Sequence, residues 1–286
     1  MEPEPEPAFP DGSLIAGKYR VDGVLGRGGM GVVLAATHLH LDEPVAVKVL
    51  PAQPSDQGRA RARFEREVQA LLRLKGEHLV RVLDAGIEGG HPYFVMERLE
   101  GQDLRALLRA RGTLPCDELV GYVLQACEAL AEVHRRGLVH RDIKPANLFV
   151  AASFDGAPLV KLLDFGIARF SADDDASQSI TSSSVTLGSP GYMAPEQIRT
   201  ARQTDARADL WSLGVVLFEA LGGRLPFEAD SAHGVLALIL SEDAPPLRSI
   251  APGVPPEIEA AVARCLRRSP EQRYPTAAAL ALDLAP

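Results

Sequence analysis

His140-Arg141-Asp142-Ile143-Lys144-Pro145-Ala146-Asn147, followed seventeen residues on by Asp164-Phe165-Gly166, is the densest run of chemistry in this 286-residue chain. It follows a long helical pattern in which Leu119, Val120, Val123, Leu124, Cys127, Leu130 and Val133 fall on one broad apolar face over Leu119–Arg135. Between its two halves the spacing predicts a small hairpin, Leu148–Ala151 and Leu159–Leu163, turned by Phe-Asp-Gly. Further helices are predicted from about Ala208 to Leu221, over Pro256–Arg267 and over Thr276–Leu284. The texture before Gly101 is different. Arg20–Leu25, Gly31–His38 and Pro44–Leu50 read as short strands of an antiparallel meander, joined by two more near Leu79–Ala85 and Tyr93–Glu97. Phe64, Val68, Leu71 and Leu72 form the apolar stripe of one helix packed on that sheet.

Within the sheet-rich part, Leu25-Gly26-Arg27-Gly28-Gly29-Met30-Gly31 has the spacing of a glycine-rich phosphate loop, because glycines let backbone N–H groups approach oxygens that a Cβ would hold away. Strand-like residues follow it, where a dinucleotide fold would need the start of a helix. Seventeen residues past Gly31, Lys48 stands in the apolar run Val45–Lys48, where an ammonium needs an anionic partner. Glu67, on the helical stripe, is the candidate carboxylate. Of the 30 basic residues only five are lysine, which makes that placement informative.

These motifs, in this order and at this spacing, resemble the eukaryotic-type protein kinases, over about Tyr19 to Leu284. The resemblance implies an α+β, two-lobed protein kinase fold: an N-lobe of antiparallel sheet plus one helix over 18–97, a hinge at 97–101, and a mainly helical C-lobe over 102–285. It implies ATP as co-substrate and Mg²⁺, with Mn²⁺ as an alternative. In that family Lys48, fixed by Glu67, holds the α- and β-phosphates. Asn147 and Asp164 ligate the metal, Asp142 orients the substrate hydroxyl and accepts its proton, and Lys144 neutralises the moving phosphoryl group. Val33, Ala46 and Phe149 would sandwich the adenine, with Met96 at the back of the pocket. The backbone of Glu97 and Leu99 would meet its edge, and Asp103 either contacts the ribose or caps a helix. His140 would pack in the core beneath Phe165 and is not the base. Asp209 would anchor the catalytic loop, and Glu196 would pair with Arg273.

Ile143-Lys144-Pro145-Ala146 and Ser189 resemble the serine/threonine form, with serine or threonine hydroxyls of proteins as substrates. The downstream sequence is similar to bacterial receptor-type kinases. The acidic, serine- and threonine-rich stretch 171–187 would be an activation segment, with Thr181 and Ser183 as autophosphorylation candidates and Arg141 and Arg169 as a cationic pocket for the phosphate. The alternative is a pseudokinase scaffold that binds nucleotide without turnover. A homodimer of kinase domains is a further expectation.

Composition sets the remaining bounds. Apolar residues are 46% and charged residues 24% of the chain, with no membrane-length apolar run. A net charge of −8 argues against nonspecific nucleic-acid or membrane contact. Three cysteines without metal or redox spacing suggest a cytoplasmic setting, alone or as the cytoplasmic domain of a longer membrane-anchored protein. The Glu-Pro run at the start predicts a solvated arm over 1–17.

Overall fold

A computed structural model of the chain describes residues 9–28, 31–52, 64, 68–69, 71–152, 156–164, 190–200 and 204–285. Gly31–His38 forms strand β3 at the bounds the sequence predicts. It pairs antiparallel with β2 (Tyr19–Gly28) and β4 (Glu43–Val49). With β1 (Leu14–Ile15), β5 (Val82–Glu88) and β6 (His91–Glu97), these strands make a six-stranded sheet in the order β1-β2-β3-β4-β6-β5. Period-two alternation gives the sheet two characters. One face carries Leu34, Ala36, Val45, Val47, Val49, Tyr93 and Val95, packed with Ile15, Tyr19 and Val21 as a core. The cross-strand pairs Val33↔Lys48, Ala35↔Ala46, Lys48↔Phe94 and Ala46↔Met96 put the other set of side chains on the opposite face.

The helix expected over this sheet is present at its described positions. Phe64, Val68 and Leu71 are helical, Val68 and Leu71 are buried, and the Phe64 ring meets Phe94 edge-on at 5.1 Å. Leu72, expected in the same stripe, is 39% exposed. Of the arm expected over 1–17, residues 1–8 lie outside the described residues, and the described part is packed. Ile15 is fully buried, Gly12 N–H donates to Val21 O at 2.8 Å and Val21 N–H to Ser13 O at 2.9 Å. The Glu-Pro run stops at Pro7, and Phe9 and Ile15 then bring enough apolar surface for the chain to gain by packing.

The molecule divides into two compact units, and the division falls between Glu100 and Gly101, inside the expected hinge. The first holds the sheet. The second takes the described residues from Gly101 onward together with Gly76–Leu79. Those four residues were not foreseen as part of it: Leu79 bridges to Leu162, and His78 Nδ1 lies 3.0 Å from Val160 O. The second unit opens with β7 (Gly101–Asp103), paired to β8 (Leu148–Ala152), which pairs in turn with β9 (Pro158–Leu162). At Gly101, with φ +140°, a Cβ would stand 2.2 Å from Val150 O, so only glycine permits this pairing.

Seven helices follow β7 among the described residues: α1 (Leu104–Arg111), α2 (Cys116–Arg135), α3 (Pro195–Arg199), α4 (Arg207–Gly222), α5 (Ala232–Ser241), α6 (Pro256–Cys265) and α7 (Ala277–Leu284). Helix α2 buries the apolar face read from its sequence except Leu124, which is half-buried. Helix α4 is apolar nearly all round and buried along almost its whole length, the pattern of a central helix. It stops at Gly223, left-handed at φ +75°, whose N–H caps Glu219 O at 2.8 Å. Cys127 and Cys265 are core residues. Burial pushes both thiols up, Cys127 to about 12, which keeps them protonated and inert.

Candidate active site

In the first unit the second face of the sheet carries the residues expected to meet the nucleotide. Val33, Ala35 and Ala46 are small, and beside them Lys48, only 7% exposed, emerges from the middle of β4. An ammonium there requires an anionic partner. Glu67, the expected one, lies outside the described residues. Of the glycine loop, Leu25 to Gly28 close β2 and Gly31 opens β3, while Gly29 and Met30 lie outside the described residues. Gly26 and Gly28 have open space where a Cβ would stand, so nothing among the described residues requires glycine there. Gly31 is the opposite case: at φ +125° a Cβ would meet Val49 O at 2.1 Å. Leu25 is 50% exposed beside this loop. Met96 lies opposite Ala46. Glu97 is tied to Arg81 twice: its N–H donates to Arg81 O at 3.0 Å, and its Oε1 accepts from Arg81 N–H at 2.8 Å. Leu99, half-buried, follows just past the strand.

In the second unit the expected catalytic loop is a single hydrogen-bonded object. Asp142, buried, accepts from Lys144 Nζ at 2.8 Å and from Asn147 Nδ2 at 3.0 Å, both on Oδ2. The same Asn147 Nδ2 donates to Asp142 O at 2.7 Å. Both amide hydrogens of Asn147 are therefore used, and its Oδ1 is the atom left for a hard cation. The loop is held from outside by Asp209 on α4. This fully buried carboxylate accepts from His140 N–H at 2.9 Å, Arg141 N–H at 2.7 Å and His134 Nε2 at 2.8 Å. His140 is itself fully buried. Its Nε2 donates to Leu163 O at 2.8 Å and its Nδ1 accepts from Asp142 N–H at 3.3 Å, which fixes a neutral tautomer with no nitrogen left for base chemistry.

Two non-glycine residues in these motifs adopt left-handed backbone, Arg141 at φ +64° and Asp164 at φ +53°. Each such residue costs about 1–3 kcal/mol and persists only where its surroundings impose it. Asp103 makes the cap: its Oδ1 accepts from Ala106 N–H at 2.7 Å at the start of α1. Phe149 pairs across strands with Asp103 and Lys161. Glu196 and Arg273 form the expected pair, bidentate at 2.7 and 2.8 Å, and Arg273 also donates to the carbonyls of Arg207, Arg267 and Arg268. Phe165, Gly166, Arg169, Thr181, Ser183 and Ser189 lie outside the described residues.

Residues 19–283 match the family model described as the protein kinase domain. The chain belongs to the protein kinase family. Among curated relatives it is 39% identical over 274 residues to the serine/threonine-protein kinase PknL of Mycobacterium bovis, covering 96% of this chain and 66% of that protein. It is 39% identical over 276 residues to pkn3 of Myxococcus xanthus, covering 96% of this chain and 50% of that protein. To PknB of Mycobacterium leprae it is 38% identical over 274 residues, covering 94% and 43%. The kinase chain thus spans half to two thirds of the length of the first two, and less of the third. The crystal structure of the Mycobacterium tuberculosis PknI kinase domain superposes with a TM-score of 0.74 at 28% identity, covering 97% of this chain and 98% of that one.

Four kinase-domain residues escaped sequence reasoning: His134 on Asp209, Gln197 at the start of α3, and the pair Tyr192–Glu219, joined at 2.6 Å. Burial, then the Glu219 charge, pushes the Tyr192 phenol far up. Burial also raises the Glu219 carboxyl, against the Tyr192 hydrogen bond, which lowers it. Only the contacts across 27 to 75 positions reveal these roles.

Proposed function

We propose that the chain is a serine/threonine protein kinase that transfers the γ-phosphoryl group of ATP to serine or threonine hydroxyls of proteins. The observation that carries this reading is Asp142, whose Oδ2 is held by Lys144 and Asn147. Among the described residues its Oδ1 takes no hydrogen bond and can accept one from a substrate hydroxyl. Phosphoryl transfer passes through a loose transition state, so orientation and charge neutralisation outweigh nucleophile strength. Asp142 orients the hydroxyl and receives its proton. Lys144, beside it, offsets charge on the phosphoryl oxygens, and Lys48 supplies a second fixed cation. The Asn147 Oδ1 and the Asp164 carboxylate are the hard oxygen ligands that Mg²⁺ requires, with Mn²⁺ as an alternative. When bound, that ion neutralises and aligns the phosphates.

Autophosphorylation of the 171–187 segment, at Thr181 with Ser183, is the activation step we infer. Its composition and the cationic residues Arg141 and Arg169 support it. Proteins bearing serine or threonine are the expected substrates, and pairing of two kinase domains the expected assembly. No helix among the described residues is long and apolar enough to cross a membrane.

The test is Mg²⁺-dependent transfer from labelled ATP to the chain itself or to myelin basic protein. Asp142→Asn should abolish it; equal label on the variant would refute the assignment. Peptide mass mapping after incubation with Mg-ATP should place phosphate within residues 177–186, and its absence there would refute the activation step.

A further inference from the structure

Helix α3 is separated by two residues from the turn Pro190–Tyr192, and its third residue, Gln197, uses both ends of its amide. Its Oε1 accepts from Ala194 N–H at 2.9 Å, a helix cap that any glutamine or glutamate at this position can make. Its Nε2 donates to Arg141 O at 3.1 Å, which does nothing for the helix.

Arg141 is the left-handed residue immediately before Asp142. Its N–H is taken by Asp209 and its carbonyl by Gln197, so both of its backbone groups are pinned by elements other than its own loop. The carbonyl belongs to the planar peptide whose N–H is that of Asp142. Fixing one side of the plane fixes the other. That N–H donates to His140 Nδ1. Rotation of this peptide would swing the Asp142 carboxylate away from Lys144 and Asn147.

We propose that Gln197 is a positioning residue for phosphoryl transfer. It sets the Arg141–Asp142 peptide and so ties the orientation of Asp142 to the chain segment that enters α3. This rests on the kinase reading above. It predicts an effect on turnover that helix capping alone does not.

Gln197→Glu separates the two roles. The carboxylate still accepts from Ala194 N–H and suits the first turn of a helix, but it cannot donate to Arg141 O. The expected result is a kcat about tenfold lower, equivalent to about 1.4 kcal/mol, with KM for Mg-ATP within about twofold of wild type and an unchanged melting temperature. Gln197→Met, which loses both contacts, should show the same fall in kcat together with a lower melting temperature. Wild-type kcat in Gln197→Glu, or a Gln197→Met that loses stability without turnover, would leave only the cap and overturn the proposal. A wild-type chain without Mg²⁺-dependent transfer would overturn the kinase reading itself, and this one with it.

Discussion

Asp209→Asn is the sharpest perturbation of the catalytic loop, because it keeps the shape of a fully buried side chain and changes only what it can accept. Oδ1 takes the Arg141 N–H, and Oδ2 takes the His140 N–H and His134 Nε2. The better amide orientation keeps its oxygen on the two histidine donors and turns an NH₂ group toward Arg141 N–H, donor against donor. One charge-assisted bond, worth about 1.5–3 kcal/mol, is lost. Two others fall to neutral strength at about 1 kcal/mol each. Relief from burying a charge returns part of this, leaving a loss of about 3 kcal/mol. For a domain near this size that corresponds to a fall of roughly 6–12 °C in melting temperature. Turnover should fall as well, since Arg141 at φ +64° loses the contact that holds its N–H. Thermal unfolding by circular dichroism, with kcat measured below the transition, checks both. A midpoint within about 2 °C of wild type and an unchanged kcat would show that Asp209 does not support the loop.

Other consequences follow from geometry already described. Gly31→Ala, strained at φ +125° and directed at Val49 O, should cost about 2–4 kcal/mol in urea unfolding. Gly28→Ala, facing open space, should leave stability unchanged while weakening ATP binding in a nucleotide titration. Arg273→Lys keeps the charge but loses the bidentate fork on Glu196 and most carbonyl contacts, so a destabilisation of about 3–5 kcal/mol is expected in the same unfolding assay. Glu219 has a folded pKa raised above its ordinary 4.5, chiefly by burial, so its folded state retains a proton that the unfolded chain releases. Stability from this group is present below pH 4.5 and is lost as pH rises through the folded pKa. Glu219→Gln should therefore gain on wild type between pH 4 and 8 in paired melts, and a constant gap over that range would contradict the burial argument.

What could be read before folding was local. Strand β3 was legible because a glycine precedes it and a Leu-Asp-Glu-Pro turn follows it. Helix α2 was legible because its apolar face keeps one period for five turns. β1 escaped because two residues carry no alternation, and its stability comes from Ile15 entering a core built by other strands. Helix α5, Ala-His-Gly-Val-Leu-Ala-Leu-Ile-Leu-Ser, escaped because an apolar run of that length has no distinguishing period. Asp103 shows where residue type alone is ambiguous: a carboxylate before a helix suits a ribose or a cap, and only the 2.7 Å contact to Ala106 N–H shows that it caps. The catalytic letters themselves, Asp142, Lys144, Asn147 and Asp164, were legible as a motif. Of the groups that hold them, Asp209 was legible through the resemblance, while His134 and Gln197 were not.

That asymmetry has a physical basis. The catalytic loop has little regular structure of its own beyond the short turn Pro145–Asn147, so its conformation is set by hydrogen bonds from outside. Asp209 lies 68 to 75 positions away from the groups it binds, and Gln197 lies 56 from Arg141. A motif can specify which atoms meet the substrate, because those atoms lie within a few residues of one another. It cannot specify the left-handed Arg141, whose cost of about 1–3 kcal/mol is offset only once helices α3 and α4 present an amide and a carboxylate to its two backbone groups. Chemistry in this unit therefore depends on tertiary assembly. A variant that leaves every catalytic letter intact but removes either outer support should still bind nucleotide, and it should transfer phosphate slowly.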